Sequence, residues 1–174
     1  MKIFSKFLHF FIIIICLLLQ IVFFEYLKMF YINFDLIMVV IIAVALFDGT
    51  LWGILYGFAA GMAIDLIAGS VVGISAFIYA VDAFIVRRLI TAGFKSIWLT
   101  YIFIVFLITE INILIVNLIR YLFNFNIDWF GISMELATRP FCNIILMFII
   151  FPLIKISSGK SEEIELGIKY KDKI

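Results

Sequence analysis

Three carboxylic acids lie within long apolar stretches of this chain, at Asp65, Asp82 and Glu110. Ionisable side chains at membrane depth are costly, and they usually face the bundle interior. Each of the three could therefore belong to a binding pocket or a proton site. Each could equally make a structural hydrogen bond to a neighbouring helix. Asp82 favours this second interpretation, because Arg87 and Arg88 follow it closely.

Few other side chains offer chemistry. His9 is the only histidine, and its place near the start of the first apolar run is typical of an interfacial side chain rather than a ligand or a base. Cys16 and Cys142 lie in apolar runs and are interpreted as small buried hydrophobes. Asn117 and Asn143 are interpreted as interhelical hydrogen-bond residues. The sequence has no metal-ligand spacing, no nucleophile–base pair and no phosphate-binding loop, so we expect no metal, no cofactor and no enzymatic activity.

One segment partly matches an enzyme signature. Asp48-Gly49 followed by Gly61-x-x-x-Asp65 resembles the signature of CDP-alcohol phosphatidyltransferases. That signature holds a metal and a diphosphate with four aspartates, and it has an Ala-Arg pair after the first Asp-Gly. Here Ala45 and Gly69 stand at two of the aspartate positions, and Trp52-Gly53 replaces Ala-Arg. Two carboxylates without the arginine are too few to hold a divalent metal against a diphosphate, so this activity is not expected.

The composition indicates a membrane protein. Of 174 residues, 67% are hydrophobic and 14% are charged, whereas soluble domains are about half apolar. The length allows one membrane domain and a short tail. The formal net charge of +1, without a basic patch that interleaves aromatic residues, gives no indication of nucleic-acid binding.

Six apolar segments predict an all-α bundle of six membrane-spanning helices, because a spanning helix needs about 20 apolar residues. The second segment is short and requires tilting or local thinning of the bilayer. A polar loop is expected over residues 124–135, and Pro140 suits the first turn of the last helix. Residues 1–156 form the membrane domain, and 157–174 form a polar cytoplasmic tail. The predicted spans are 7–27, 34–47, 50–68, 71–90, 97–123 and 138–154.

The basic residues predict the orientation. An even number of spans places both termini on one side of the membrane, and Lys and Arg concentrate on the cytoplasmic side. With both termini inside, 10 of the 13 Lys and Arg residues are cytoplasmic and 3 are external. The cytoplasmic set is Lys2, Lys6, Arg87, Arg88, Lys95, Lys155, Lys160, Lys169, Lys171 and Lys173, and the external set is Lys28, Arg120 and Arg139.

A ladder of small residues at four-residue spacing is the most distinctive pattern in the chain. Residues at this spacing share one helix face, and small residues allow close helix packing in lipid, where the hydrophobic effect does not drive association. The ladder therefore predicts a groove for a second helix, which belongs either to this bundle or to a partner. Its members are Gly49, Gly53, Gly57, Gly61, Asp65, Gly69 and Gly73.

Several segments together carry a resemblance to a known family. They are Phe34-Asp35-Leu36, the ladder with Phe58, Gly73-Ile74-Ser75-Ala76, Arg87-Arg88, Arg139-Pro140, Asn143 and Pro152. With these segments the chain resembles the rod-shape-determining MreD family. The resemblance covers nearly the whole membrane domain and is carried mainly by small residues.

This resemblance implies a fold and a role. The fold would be similar to the six-helix S components of energy-coupling-factor vitamin transporters. The role would be that of a non-enzymatic scaffold of the bacterial cell-elongation machinery, in the cytoplasmic (inner) membrane, supporting peptidoglycan synthesis and cell shape. The implied partners are an MreC-like bitopic protein and, directly or through it, MreB, RodA and the elongation transpeptidase.

The alternative is that the chain is itself a vitamin-binding S component. Such proteins dock on their coupling subunit through small residues of the first span, typically in an Ala-x-x-x-Ala pattern. The first span here, residues 7–27, contains neither Ala nor Gly. This feature favours the scaffold.

Overall fold

A computed structural model describes residues 2–28, 33–68, 72–91, 98–123 and 128–158. Within these ranges the chain is all-helical, and no residue lies in a β-strand. The helices are α1 (Lys2–Lys28), α2 (Leu36–Phe47), α3 (Thr50–Ala68), α4 (Ile74–Thr91), α5 (Trp98–Leu122) and α6 (Trp129–Ser157).

Three of the described helices are long and apolar enough to cross a membrane. The qualifying stretches are Thr50–Ile67 in α3, Trp98–Leu122 in α5 and Trp129–Ser157 in α6. Two shorter apolar stretches, Lys6–Val22 and Leu36–Phe47, lie in α1 and α2. The expectation of an all-helical protein is confirmed for the described residues, and three of these helices have the length and composition that spanning requires.

The short helix α2 forms the core of the bundle. Its sequence is apolar on every side, as is typical of a helix enclosed by other helices. All of its residues except Leu46 are buried, and it packs against α1, α3, α4 and α6. At about 1.5 Å per residue it is roughly 18 Å long, well short of the ~30 Å hydrocarbon core of a bilayer.

The glycine ladder lies inside the bundle, where α3 packs against α4. A Cβ atom added at Gly57 would lie 2.8 Å from the Tyr79 carbonyl oxygen, and one at Gly61 would lie 2.5 Å from the Ala76 Cα. At Gly53 the nearest atom would be 2.8 Å away, again within the bundle. Carbon atoms normally approach to ~3.5–4.0 Å, so these glycines permit a backbone contact that side chains would prevent. The groove predicted from the ladder is therefore filled by a helix of the same chain.

Two ladder residues have a different role from the one predicted. Gly49 and Gly73 would meet no atom within 4 Å if they carried a Cβ, so they do not pack against a helix. Their φ angles are +107° and +102°, in the region that side-chain-bearing residues rarely adopt. They allow the chain to turn into α3 and α4. Gly69 lies outside the described residues.

The last helix begins earlier than predicted. The expected loop over residues 124–135 is helical from Trp129 onward, and Pro140 lies inside α6 rather than in its first turn. Residues 124–127 are outside the described ranges. One reason for the longer helix is a pair at four-residue spacing, in which Arg139 Nη1 donates to Glu135 Oε1 at 2.7 Å. Such pairs stabilise helices, and the prediction of a loop from the polar character of residues 124–135 did not take this pair into account.

The distribution of polarity is inverted relative to a soluble protein. Large apolar side chains are exposed on every described helix except α2. The buried polar and charged residues are His9, Asp35, Asp65, Asp82, Thr109, Asn112 and Asn143. Soluble monomers rarely expose continuous apolar surface beyond a few hundred Å², so this exterior suits an apolar solvent.

Candidate functional site

A buried polar network joins four helices at the end of the bundle where α2 and α4 begin. Its centre is Asp35, the residue before α2. Asp35 Oδ1 accepts a hydrogen bond from the Met38 backbone N–H at 3.0 Å, which caps the helix. The Tyr79 hydroxyl of α4 donates to the same carboxylate, 2.9 Å from Oδ2. The network thus begins as the N-cap of the core helix.

Arg139 of α6 supplies a positive charge to this network. Its Nη2 lies 3.1 Å from Asp35 Oδ2, and its Nη1 lies 2.7 Å from Glu135 Oε1. The Asp35 side chain is 4% exposed, so its negative charge would be costly without the guanidinium. The fork geometry of Arg139 lets one cation contact two carboxylates.

Asn143 links the network to α5. Its Oδ1 accepts from the Asp35 backbone N–H at 2.8 Å, and its Nδ2 donates to Thr109 Oγ1 at 3.1 Å. The Thr109 hydroxyl donates in turn to the Val105 carbonyl at 2.7 Å. Asn143 therefore contacts both α2 and α5 from α6, in keeping with an interhelical role.

A second buried contact lies between α4 and α5. Asn112 Nδ2 donates to Asp82 Oδ2 at 2.8 Å and also approaches the Met38 sulfur at 3.3 Å. Asn112 Oδ1 is buried with no hydrogen-bond partner in the described part of the chain. The Asp82 carboxyl makes the structural interhelical bond that was one of its two predicted roles, although its partner is an amide rather than Arg87 or Arg88.

Asp65 caps the neighbouring helix. Its Oδ2 accepts from the backbone N–H groups of Gly73 at 2.8 Å and Ser75 at 3.0 Å, and the Ala76 N–H is 3.4 Å away. Gly73 immediately precedes α4, and Ser75 and Ala76 lie in its first turn, whose N–H groups have no partner within their own helix. The positive end of the helix dipole also favours a carboxylate there. Asp65 therefore fixes α4 against α3 from the end of the glycine ladder, and its contact is internal.

At the opposite end of α2, the C-cap residue Asp48 faces a histidine. His9 Nδ1 of α1 lies 2.6 Å from Asp48 Oδ2, and the His9 side chain is fully buried. A carboxylate at a helix C-terminus is unfavourable to the dipole, and the imidazole that contacts this one packs α1 against that end of α2. The prediction that His9 is an interfacial side chain is wrong, because α1 packs this face against the α2–α3 corner. Lys6 Nζ lies over the Trp52 ring, 3.9 Å from its centroid, and joins α1 to α3 as well.

Glu110 and Asn117 lie apart from these networks. Asn117 Nδ2 donates to the Ile113 carbonyl of its own helix at 2.8 Å, so the contact found is not the interhelical bond that was predicted. Glu110 is partly exposed, and no hydrogen bond or ion pair to it is found in the described residues. Asp82 makes a hydrogen bond to a neighbouring helix. No such bond is found for Glu110 among the described residues.

The two carboxylates of the phosphatidyltransferase-like segment do not share a site. Asp48 precedes α3 and Asp65 lies near its end, roughly 22 Å further along at 1.5 Å per residue. Each has its own contacts, His9 for one and the α4 backbone for the other. Among the described residues, no group of three His, Cys, Asp or Glu side chains could hold a metal ion.

The centre of the network was only partly visible in the sequence. Asp35 and Arg139 belong to the segments that resemble the MreD pattern, but their pairing joins residues 104 positions apart. Tyr79 gave no signal, because it is one of 7 tyrosines in an aromatic-rich chain. Two signals in the sequence indicate such a pair. One is a carboxylate just before an apolar segment, as at Asp35, and the other is an arginine within another apolar segment, as at Arg139.

Comparison with known protein families, with curated proteins and with solved structures finds no match to this chain.

Proposed function

We propose that this chain is a multi-pass protein of the bacterial cytoplasmic membrane that serves as a scaffold of the MreD type. The observation that carries the membrane assignment is the inverted polarity, with large apolar side chains outside and carboxylates, amides and a histidine inside. In this proposal all six helices cross or enter the bilayer, in a bundle similar to that of transporter S components. Both termini are cytoplasmic.

The contacts of the buried polar groups support a scaffold. Asp35, Asp65 and Asn143 all use their side chains to join helices or cap them. Gly57 and Gly61, which also carry the family resemblance, set the close approach of α3 and α4. The residues of the resemblance thus coincide with residues that determine helix packing, which is what a protein needs if its function is to present a fixed surface.

In this role the protein catalyses no reaction and binds other members of the elongation machinery. Its direct partner is an MreC-like bitopic protein, and MreB, RodA and the elongation transpeptidase are reached directly or through that partner. The internal position of the glycine ladder moves the partner surface elsewhere, because Gly53, Gly57 and Gly61 are covered by the bundle's own helices.

The proposal is tested by co-expression with the MreC-like protein of the same genome. We expect the two chains to co-purify in mild detergent, and we expect cells that lack this protein to lose their rod shape and become round. Failure of both outcomes would refute the scaffold role. Calorimetric titration with thiamine, riboflavin and biotin provides the contrast, because tight binding of any of them would assign the chain to the transporter S components.

A further inference from the structure

Helix α5 has a buried face and an exposed face, and Glu110 lies on the exposed one. Ile108 and Asn112, two positions before and after it, are both buried. At about 100° per residue each of them lies roughly 160° around the helix from Glu110. The exposed side chains near Glu110 on this face are apolar, and they are Phe103, Phe106, Leu114 and Tyr121.

Glu110 is also at the middle of the helix. α5 runs over 25 residues from Trp98 to Leu122, so the carboxyl is about 18 Å along the helix from either end. In a bilayer with a hydrocarbon core of about 30 Å it would lie near the midplane. None of the ion pairs in the described part of the chain includes Glu110, so the bundle itself supplies no cation for it there. An ionisable group in this position is costly and indicates a partner.

Asn117 gives the same face a second acceptor. It follows Glu110 by seven residues, and Phe103 precedes Glu110 by seven, a spacing typical of the seam between two paired helices. Asn117 Nδ2 donates one of its two N–H groups to the Ile113 carbonyl of its own helix, so the other N–H and the acceptor Oδ1 remain for a neighbour. A carboxylate and an amide oxygen are both acceptors, so the complementary surface must offer donors.

We propose that this face of α5 binds a membrane-spanning helix of a partner protein that carries a lysine or arginine near the bilayer midplane. The inference rests on the membrane-spanning part of the proposed function and locates the surface on which the scaffold meets its partner. A second copy of this chain is a poorer occupant, since the same face would bring Glu110 against Glu110. Phe103 and Leu114 flank the carboxylate and would exclude lipid from the ion pair.

A reconstituted system tests this directly. The full-length protein, labelled with a fluorescence donor, is placed in phosphatidylcholine vesicles with an acceptor-labelled synthetic leucine-rich helix of 25 residues, about the length of α5. One peptide carries a single central arginine and its matched control carries leucine there. Energy transfer measures binding in the plane of the membrane. We expect the arginine peptide to bind at least about tenfold more tightly than the leucine peptide.

Variants of the protein identify the surface. Glu110→Ala should abolish the preference for the arginine peptide, and Glu110→Gln, which keeps an acceptor but no charge, should reduce it. Phe77→Ala, which changes an exposed apolar side chain on α4, should leave the preference unchanged. Because Glu110 has no described internal contact, its variants should unfold in detergent at the same temperature as the wild type.

Three results of the binding experiments would overturn the inference. Equal binding of the two peptides, or an arginine preference that survives in Glu110→Ala, would show that this face does not select a basic helix. If two copies of the protein show energy transfer to each other, and Glu110→Ala abolishes this transfer, the face serves self-association instead. Reporter fusions that place the two ends of α5 on one side of the membrane would refute the proposed membrane topology rather than the specificity of the face.

Discussion

Replacing Gly61 with alanine tests the assignment of the glycine ladder to the interior. The added Cβ would lie 2.5 Å from the Cα and the N of Ala76, whereas carbon atoms pack at ~3.5–4.0 Å. Because the obstructing atoms belong to the backbone of α4, no side-chain rotation can relieve the overlap. The two helices must separate by about 1 Å, and this separation weakens contacts along the whole α3–α4 seam.

The expected free-energy change follows from two opposing effects. Overpacking of a well-packed site costs ~1–3 kcal/mol, while alanine is favoured over glycine in a helix by about 1 kcal/mol. We expect Gly61→Ala to lower the free energy of unfolding by up to about 2 kcal/mol, the difference between these effects. Gly61→Leu should cost more, since its larger side chain meets the same backbone.

Unfolding in mixed micelles with increasing sodium dodecyl sulfate, followed by tryptophan fluorescence, measures this change. Ala59→Leu is the matched control, because Ala59 lies on the exposed side of the same helix. Its effect should stay within about 0.5 kcal/mol. If Gly61→Leu is as stable as the wild type, or if Ala59→Leu destabilises equally, α3 does not pack on α4 through this face. A Gly61→Leu variant that stays folded but loses its MreC-like partner would return the ladder to the partner interface.

Three further predictions concern orientation and the buried charges. Reporter fusions after Lys6, Gly93 and Ser158 should be cytoplasmic, and a fusion near Asn126 should be external. An external reporter at the C-terminal site would contradict the topology. Arg139→Ala leaves the Asp35 carboxylate buried without a cation and should cost about 3–5 kcal/mol in detergent unfolding; adding Asp35→Asn should recover part of it, and no recovery would refute the pairing. Asp65→Ala removes the cap of α4 and should lower the unfolding free energy by about 0.5–2 kcal/mol, so an unchanged midpoint would contradict the capping role.

The helical class was predictable because apolar run length alone determines it. The long apolar stretches in α3, α5 and α6 indicate membrane-spanning helices without any tertiary information. The beginning of α6 was not predictable in the same way, because the segment before Pro140 is polar enough to resemble a loop. One contribution to its helical state is a specific pair, Glu135 with Arg139, which a count of polar residues does not detect.

The site was less predictable than the fold because its contacts are long-range. Asp65 was singled out by its register with the glycines, but its ligands are backbone groups of the next helix, which carry no side-chain signature. His9 was misassigned for the same reason, since its burial depends on how α1 packs rather than on its place in the sequence. Glu110 was recognised as an unusual residue, yet only the packing of α5 distinguishes an internal carboxylate from one that faces outward.

The pair of Asp35 and Arg139 can form only late in the synthesis of the chain. The two residues are 104 positions apart, and chains grow at about 5–20 residues per second. Roughly 5–20 s therefore pass between the synthesis of the carboxylate and that of its cation. During that interval the N-terminal end of α2 lacks the guanidinium that pairs with Asp35. At its C-terminal end, His9 has already been synthesised and can contact Asp48. Helix α6 therefore completes the core, and a chain that stops before residue 139 leaves the Asp35 carboxylate without its cation.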